Sequence, residues 1–173
     1  MHIDRYERMY IIAASAVMGA FFAALLVSAL VFGVHLPEPQ GFVNPRALNE
    51  TAFANPGLRA MGDNRYEAYI VAQMWQFNAG SSEFEADGTQ VLRVPQGAQV
   101  TFYLTSADIT HGLIIERSNI NFEIVPGHVA RATHTFREAG TFKVMCHEYC
   151  GRLHQNMHLT LIVEPPESTG ASA

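Results

Sequence analysis

An apolar run near the N-terminus constrains this chain more than any other feature. Residues 11–34 contain no charged side chain and no proline. As a helix this run reaches ~36 Å, enough to cross a hydrocarbon core of ~30 Å. A cleaved signal peptide is the alternative, but its apolar region is typically ~7–15 residues long. No clean Ala-x-Ala cleavage site follows the run. We therefore predict a transmembrane anchor helix over residues 1–35.

The charges that flank the run predict its orientation. Arg5 and Arg8 precede it, whereas the next Arg or Lys on the far side is Arg46. Positive charge favours the cytoplasmic side of a membrane. We expect a single-pass protein of the cell membrane with a cytoplasmic N-terminus and its remaining residues on the periplasmic or extracellular side.

The pattern of the remaining residues predicts one soluble domain. Prolines and glycines at 36–66 predict a linker, with a short helical piece near 46–54. Residues 67–164 alternate short β-runs with turn residues, and 165–173 read as a disordered tail. The predicted runs are 69–77, 90–94, 100–105, 113–116, 122–125, 129–136, 141–145 and 159–163. This pattern predicts an all-β antiparallel sandwich or barrel.

Charge and composition exclude two classes of function. The net charge of -5 argues against nucleic acid and is compatible with a basic protein partner. No Ser/His/Asp grouping stands out in the sequence. A stand-alone hydrolase therefore lacks support.

A short segment near the C-terminus carries the chemistry. Between two β-runs it holds the thiols of Cys146 and Cys150, the imidazole of His154 and the thioether of Met157. This donor set suits copper in electron-transfer sites, whereas structural zinc sites use four Cys or His ligands. A mononuclear blue-copper site uses one Cys, so the second thiolate indicates a second metal ion. Each ion needs an imidazole, and His111 is the best candidate for the other one. A Cys146–Cys150 disulfide is the alternative.

These residues resemble a known signature. The pattern Cys-x-Glu-x-Cys-x3-His-x2-Met from Cys146 to Met157, with an upstream Asp-x-x-His ending at His111, is similar to the dinuclear CuA signature of cytochrome c oxidase subunit II. The resemblance extends through the anchor, the linker and the stretches 93–97, 104–112 and 119–127. The single anchor helix is similar to the B-type oxidases rather than to the two-helix A-type. The resemblance implies a cupredoxin-like fold for residues 67–164.

The resemblance also implies a ligand set for two copper ions. Its members are His111, Cys146, Glu148, Cys150, His154 and Met157. The two cysteine sulfurs would bridge both ions. His111 and Met157 would bind one ion, and His154 and the backbone carbonyl of Glu148 the other. The Glu148 carboxylate would also help to bind a magnesium ion at the boundary with subunit I. His147 and His158 flank ligands and are candidates for supporting roles.

The implied function is electron transfer in a respiratory chain. The chain would accept electrons from cytochrome c or a small copper protein and pass them to haem in subunit I, an oxidoreductase and translocase that reduces oxygen to water. Trp75 is the candidate residue where electrons enter, with core packing as the alternative. Glu123 is a candidate contact with subunit I. Other functions left open are a CuA subunit of a nitric oxide reductase and a membrane-tethered protein for copper binding or delivery.

Overall fold

The chain forms two compact units, which we describe separately. They are Met1–Glu38 and Pro39–Ala173. The computed structural model describes residues 4–32 and 40–166. The predicted disordered tail lies outside the described residues from position 167 onward.

The first unit is a single helix, α1 (Arg5–Val31). It begins where the Asp4 side chain accepts a hydrogen bond from the Tyr6 backbone N–H at 2.7 Å, a typical N-cap. No residue of the helix is buried by the protein itself, and its most apolar stretch has a mean hydropathy of 2.3. Among the described residues this helix is the one long and apolar enough to cross a membrane. The predicted N-terminal helix is therefore present over the described residues, and its length and composition would allow it to cross a membrane.

The second unit is built from strands in two sheets. The strands are β1 (Gly41–Phe42), β2 (Gly57–Gly62), β3 (Arg65–Gln73), β4 (Gln76–Asn78), β5 (Val91–Pro95), β6 (Gln99–Ser106), β7 (His111–Ile115), β8 (Asn121–Ile124), β9 (His128–Thr135), β10 (Gly140–Met145) and β11 (His158–Glu164). One sheet has the order β1-β9-β6-β3-β2, with β4 paired to β3, and the other has the order β5-β11-β10-β7-β8. Most neighbours are antiparallel, while β3 with β6 and β5 with β11 are parallel. The predicted all-β class is confirmed.

The main core is formed by the inward-facing residues of both sheets. On β6, Val100, Phe102 and Leu104 are buried at every second position, which is the period of a strand with one buried face. Leu159 and Leu161 on β11 belong to the same cluster, which also includes Cys150 and Met157. The side chains of Cys150 and Met157 in the sulfur-rich segment are thus part of the packed core, and this packing restricts the movement of the segment.

The predicted linker at 36–66 differs from the structure over its described part. Residues 40–62 carry β1, β2 and two short 3-10 helices, Leu48–Glu50 and Ala52–Ala54, which fall within the predicted helical piece. Phe53 is 4% exposed and packs edge-on against Tyr69 at 5.6 Å between ring centroids, in a cluster separate from the main core. β1 forms because it pairs with the distant β9, which local sequence does not report, whereas β2 pairs with β3 directly across a turn at Asp63 and Asn64, both at positive φ.

The predicted run 69–77 is interrupted in the structure. Met74 and Trp75 form a turn that joins β3 to β4 as a hairpin. The Met74 N–H donates a hydrogen bond to the Asp108 carboxylate at 2.7 Å, which ties the turn to the loop before β7. The hairpin turn therefore lies beside His111, the first residue of β7.

Candidate metal centre

The sulfur-rich segment is the loop that joins β10 to β11. The two strands are paired up to Met145 and His158, and the Cys146 N–H donates to the Met157 carbonyl at 3.1 Å. A 3-10 helix, His154–Asn156, precedes Met157. Sheet pairing thus brings the two ends of the loop together and holds Cys146 next to Met157.

The two cysteines are free and buried, and other soft donors surround them. Their sulfurs lie 3.7 Å apart, well beyond the ~2.05 Å of a disulfide. The Cys150 sulfur lies 3.4 Å from His154 Nδ1 and 3.6 Å from Met157 Sδ. The Cys146 sulfur lies 3.4 Å from the Glu148 carbonyl oxygen. The loop therefore contributes five of the six predicted ligand residues: the two cysteines and three residues with donor atoms close to their sulfurs.

His111 reaches the thiols from β7, in the neighbouring part of the sheet. Its side chain is fully buried, and one ring nitrogen lies within 4.8 Å of both cysteine sulfurs. Nε2 lies 2.8 Å from Asp108 Oδ1, so Nε2–H is the donor to this carboxylate. Nδ1 then carries a lone pair, and it is buried without a hydrogen-bond partner among the residues that the structure describes. A buried unpaired acceptor is unfavourable unless a metal ion uses it. The six residues therefore fit a metal site.

Asp108 orients His111 and is itself held as a carboxylate. Its partial burial opposes ionisation, but hydrogen bonds from His111 and from the Met74 and Ile109 N–H groups lower the pKa of its carboxyl below the usual range. A carboxylate bonded to the far nitrogen of a ligating His fixes its tautomer and ring orientation. The sequence motif contains Asp108 but does not by itself indicate this role. The signal that could have indicated it is the position of Asp108, three residues before His111.

The thiol of Cys150 is strongly affected by its surroundings. Burial, followed by the neighbouring Cys146 thiol, raises the pKa of the Cys150 thiol to about 12. Cys150 is therefore protonated at neutral pH in the metal-free chain. A thiol must lose its proton to ligate a metal, so binding at this residue releases a proton.

Trp75 contacts the ligand loop directly. Its indole is partly buried, and Nε1–H donates to the backbone carbonyl of Cys150 at 3.0 Å. Trp75 also packs against the main core, so the packing alternative is present together with the loop contact. The side chain connects the protein surface to the backbone of a ligand residue.

The two predicted acidic residues lie on the exposed side of the site. The Glu148 side chain is 52% exposed, and its Oε1 lies 3.7 Å from His147 Nδ1. Glu123 is exposed on β8, in register with Gly112 on β7. Only the backbone carbonyl of Glu148 points toward a cysteine sulfur, at 3.4 Å from Cys146.

The donors and the scaffold together define a class of protein. Two thiols, two imidazoles and a thioether on a rigid β-sandwich suit copper rather than a hard, oxygen-ligated metal. The fold and the site are those of a cupredoxin-like copper protein, in a chain that also carries one helix able to span a membrane.

Comparisons with known proteins narrow this class to a family. The family model for the cytochrome c oxidase subunit II periplasmic domain matches residues 52–164. Cytochrome c oxidase subunit 2 of Thermus thermophilus is 37% identical over 117 residues, a match that covers 66% of this chain and 79% of that protein. A second cytochrome c oxidase subunit 2 from the same species is 35% identical over 117 residues, covering 66% of this chain and 64% of that protein.

A solved structure agrees with these sequence matches. A chain of a heme-copper terminal oxidase dimer superimposes with a TM-score of 0.64 and 30% identity, over 92% of this chain and 100% of that chain. The protein belongs to the cytochrome c oxidase subunit II family. The resemblance and the cupredoxin-like fold expected from the sequence are confirmed.

Proposed function

We propose that this chain is the electron-accepting subunit of a terminal cytochrome c oxidase. It takes electrons from cytochrome c or a small copper protein at a dinuclear CuA centre and delivers them to haem in subunit I, where oxygen is reduced to water. As a family member the chain is part of a haem-copper oxidoreductase complex. The observation that carries the proposal is the pair of free thiols 3.7 Å apart, with further soft donors around them.

The proposed ligand roles are those that the family resemblance implies, and the donor atoms that lie around the two sulfurs support them. Cys146 and Cys150 would hold both copper ions through their sulfurs, with His111 and Met157 at one ion. His154 and the Glu148 carbonyl would hold the other, which completes the six residues. When bound, such a centre shares one electron between two metal ions. Asp108 fixes the tautomer of His111, and core packing of Cys150 and Met157 excludes water and keeps the ligands in place.

Trp75 is the proposed residue through which electrons enter. Its indole is partly exposed and hydrogen bonded to the Cys150 carbonyl, so a donor that contacts it is one side chain away from a bridging ligand. Exposed apolar side chains of Met74 and Ile109 lie beside this turn. A partly apolar surface with a central aromatic residue is typical of protein docking sites.

The acidic side chains are proposed to face subunit I. The exposed Glu148 carboxylate offers a ligand for a magnesium ion at that boundary, and Glu123 offers a further polar contact. We place the N-terminus in the cytoplasm and the copper domain on the periplasmic or extracellular side, because Arg5 and Arg8 precede the apolar segment.

Rapid mixing of the purified oxidase complex with reduced cytochrome c tests the proposed function. We expect the absorption of the copper centre to bleach before haem in subunit I is reduced. Trp75→Phe loses the N–H donor to Cys150 and part of the contact surface. It should slow bleaching on the order of tenfold and leave the copper spectrum in place. Met61→Ala, an exposed apolar residue on β2, serves as the control and should react at the wild-type rate.

Assays of the same purified complex distinguish the proposed oxidase from a nitric oxide reductase and from a copper-delivery protein. Turnover with oxygen supports the oxidase, whereas turnover with nitric oxide alone would assign the chain to a nitric oxide reductase. Purification of a haem-free chain that donates copper to other proteins would indicate copper delivery. Haem reduction that does not depend on bleaching of the copper centre would contradict an electron-accepting role.

A further inference from the structure

His147, between Cys146 and Glu148 in the ligand loop, has contacts that the ligand set does not use. Its ring lies against Gly112, the residue after His111 in β7. A Cβ atom built on Gly112 would lie 2.7 Å from both Cε1 and Nε2 of the His147 ring. Any larger residue at position 112 would therefore displace the ring. The imidazole occupies space beside His111 that only a glycine leaves free.

The ring is also hydrogen bonded to the next strand. His147 Nε2 lies 3.1 Å from the Phe122 carbonyl oxygen on β8, so Nε2–H donates to this acceptor. β8 pairs with β7, and Leu113 is the register partner of Phe122. One imidazole thus connects the ligand loop to two strands, one of which carries His111.

In the chain, His147 lies between Cys146 and Glu148, and donor atoms of these two residues are close together. The sulfur of Cys146 and the carbonyl oxygen of Glu148 are 3.4 Å apart. The Glu148 N–H region is itself packed on β7, since a Cβ on Gly112 would lie 2.8 Å from the Glu148 nitrogen. If the His147 ring is fixed, the turn that aims the Glu148 carbonyl at the thiols is fixed as well.

We propose that His147 is a positioning residue for the copper centre, holding the Glu148 carbonyl at a set distance from the bridging sulfurs through its contacts with Gly112 and Phe122. The inference rests on the proposed function, because it assumes that this carbonyl is a weak axial ligand. A carbonyl donor stabilises the more positive, oxidised form of a metal centre. Loss of His147 therefore weakens copper retention and raises the reduction potential without removing a ligand.

Three substitutions in the full-length chain, purified in detergent and loaded with copper, test this role. His147→Ala removes both contacts, His147→Phe keeps a ring but has no donor, and His147→Gln keeps a donor at a similar reach. We expect His147→Ala to lose copper to a chelator roughly tenfold faster, the lower range for groups that orient metal ligands. Its midpoint potential should rise, His147→Phe should shift the same way, and His147→Gln should restore most of the wild-type value.

The control is His134→Ala on β9, which removes a partly buried histidine hydrogen bonded to Asn119. It should leave copper retention and potential unchanged. The inference is contradicted if His147→Ala retains copper and its potential at wild-type values while the wild-type chain shows the paired-copper signal. Absence of that signal in the wild-type chain would instead contradict the proposed function itself.

Discussion

Cys150→Ser is expected to abolish the spectrum of a paired copper centre. The Cys150 sulfur lies 3.4 Å from His154 Nδ1, 3.6 Å from Met157 Sδ and 3.7 Å from the Cys146 sulfur, so it adjoins three other donors of the site. A serine hydroxyl is a hard donor that does not bridge copper ions as a thiolate does. We expect the variant to retain at most one copper ion and to show no mixed-valence signal by electron paramagnetic resonance.

The neighbouring Met145→Leu variant is the matched control for this result. Met145 is the last residue of β10, is 36% exposed and offers a thioether that is not in the ligand set. It should keep the native copper content and spectrum. A native spectrum in Cys150→Ser would show that this residue does not bridge the metal ions.

Gly80→Ala is expected to lower the free energy of unfolding by about 3 kcal/mol. Gly80 has a φ of +65°, and a Cβ atom there would lie 1.9 Å from the Pro56 carbonyl oxygen and 2.9 Å from Gly57 Cα. Both atoms are backbone, so the segment before β2 would have to move away from β4. At this domain size the loss corresponds to a fall on the order of 10 °C in the thermal midpoint.

Gly88→Ala separates this clash from the cost of backbone conformation. Gly88 has a φ of +85°, but beyond its two chain neighbours no atom of the described residues lies within 4 Å of a Cβ built on it. It should lose only about 1 kcal/mol, the cost of a left-handed conformation for alanine. Thermal unfolding of the metal-free chain can be followed by fluorescence of Trp75, the only tryptophan. Equal losses in the two variants would show that 56–57 does not pack against Gly80.

The sequence brings most of the proposed ligand residues together because they are close along the chain. Cys146, Cys150, His154 and Met157 lie on one loop, so their spacing along the chain carries the chemistry without knowledge of the fold. The strands with alternating burial, such as β6, are likewise visible as a period of two. His111 is the exception, because it reaches the site from another strand, and it is a candidate through the need for a second imidazole and through the upstream Asp-x-x-His.

The features that the sequence does not predict depend on contacts between distant segments. β1 forms within the predicted linker because the distant strand β9 supplies its hydrogen-bond partners. The turn at Trp75 forms where Met74 binds Asp108 and the indole binds Cys150. The position of the His147 ring requires a glycine 35 positions earlier, at Gly112 (147 minus 112). None of these pairings has a local periodic signal.

Electron paramagnetic resonance of the copper-loaded, full-length chain tests the central claim most directly. Two thiolates that bridge two copper ions make one unpaired electron belong equally to both nuclei. We predict a seven-line hyperfine pattern from the wild-type protein. A four-line pattern from a single copper ion, or a chain that binds only zinc, would contradict the account.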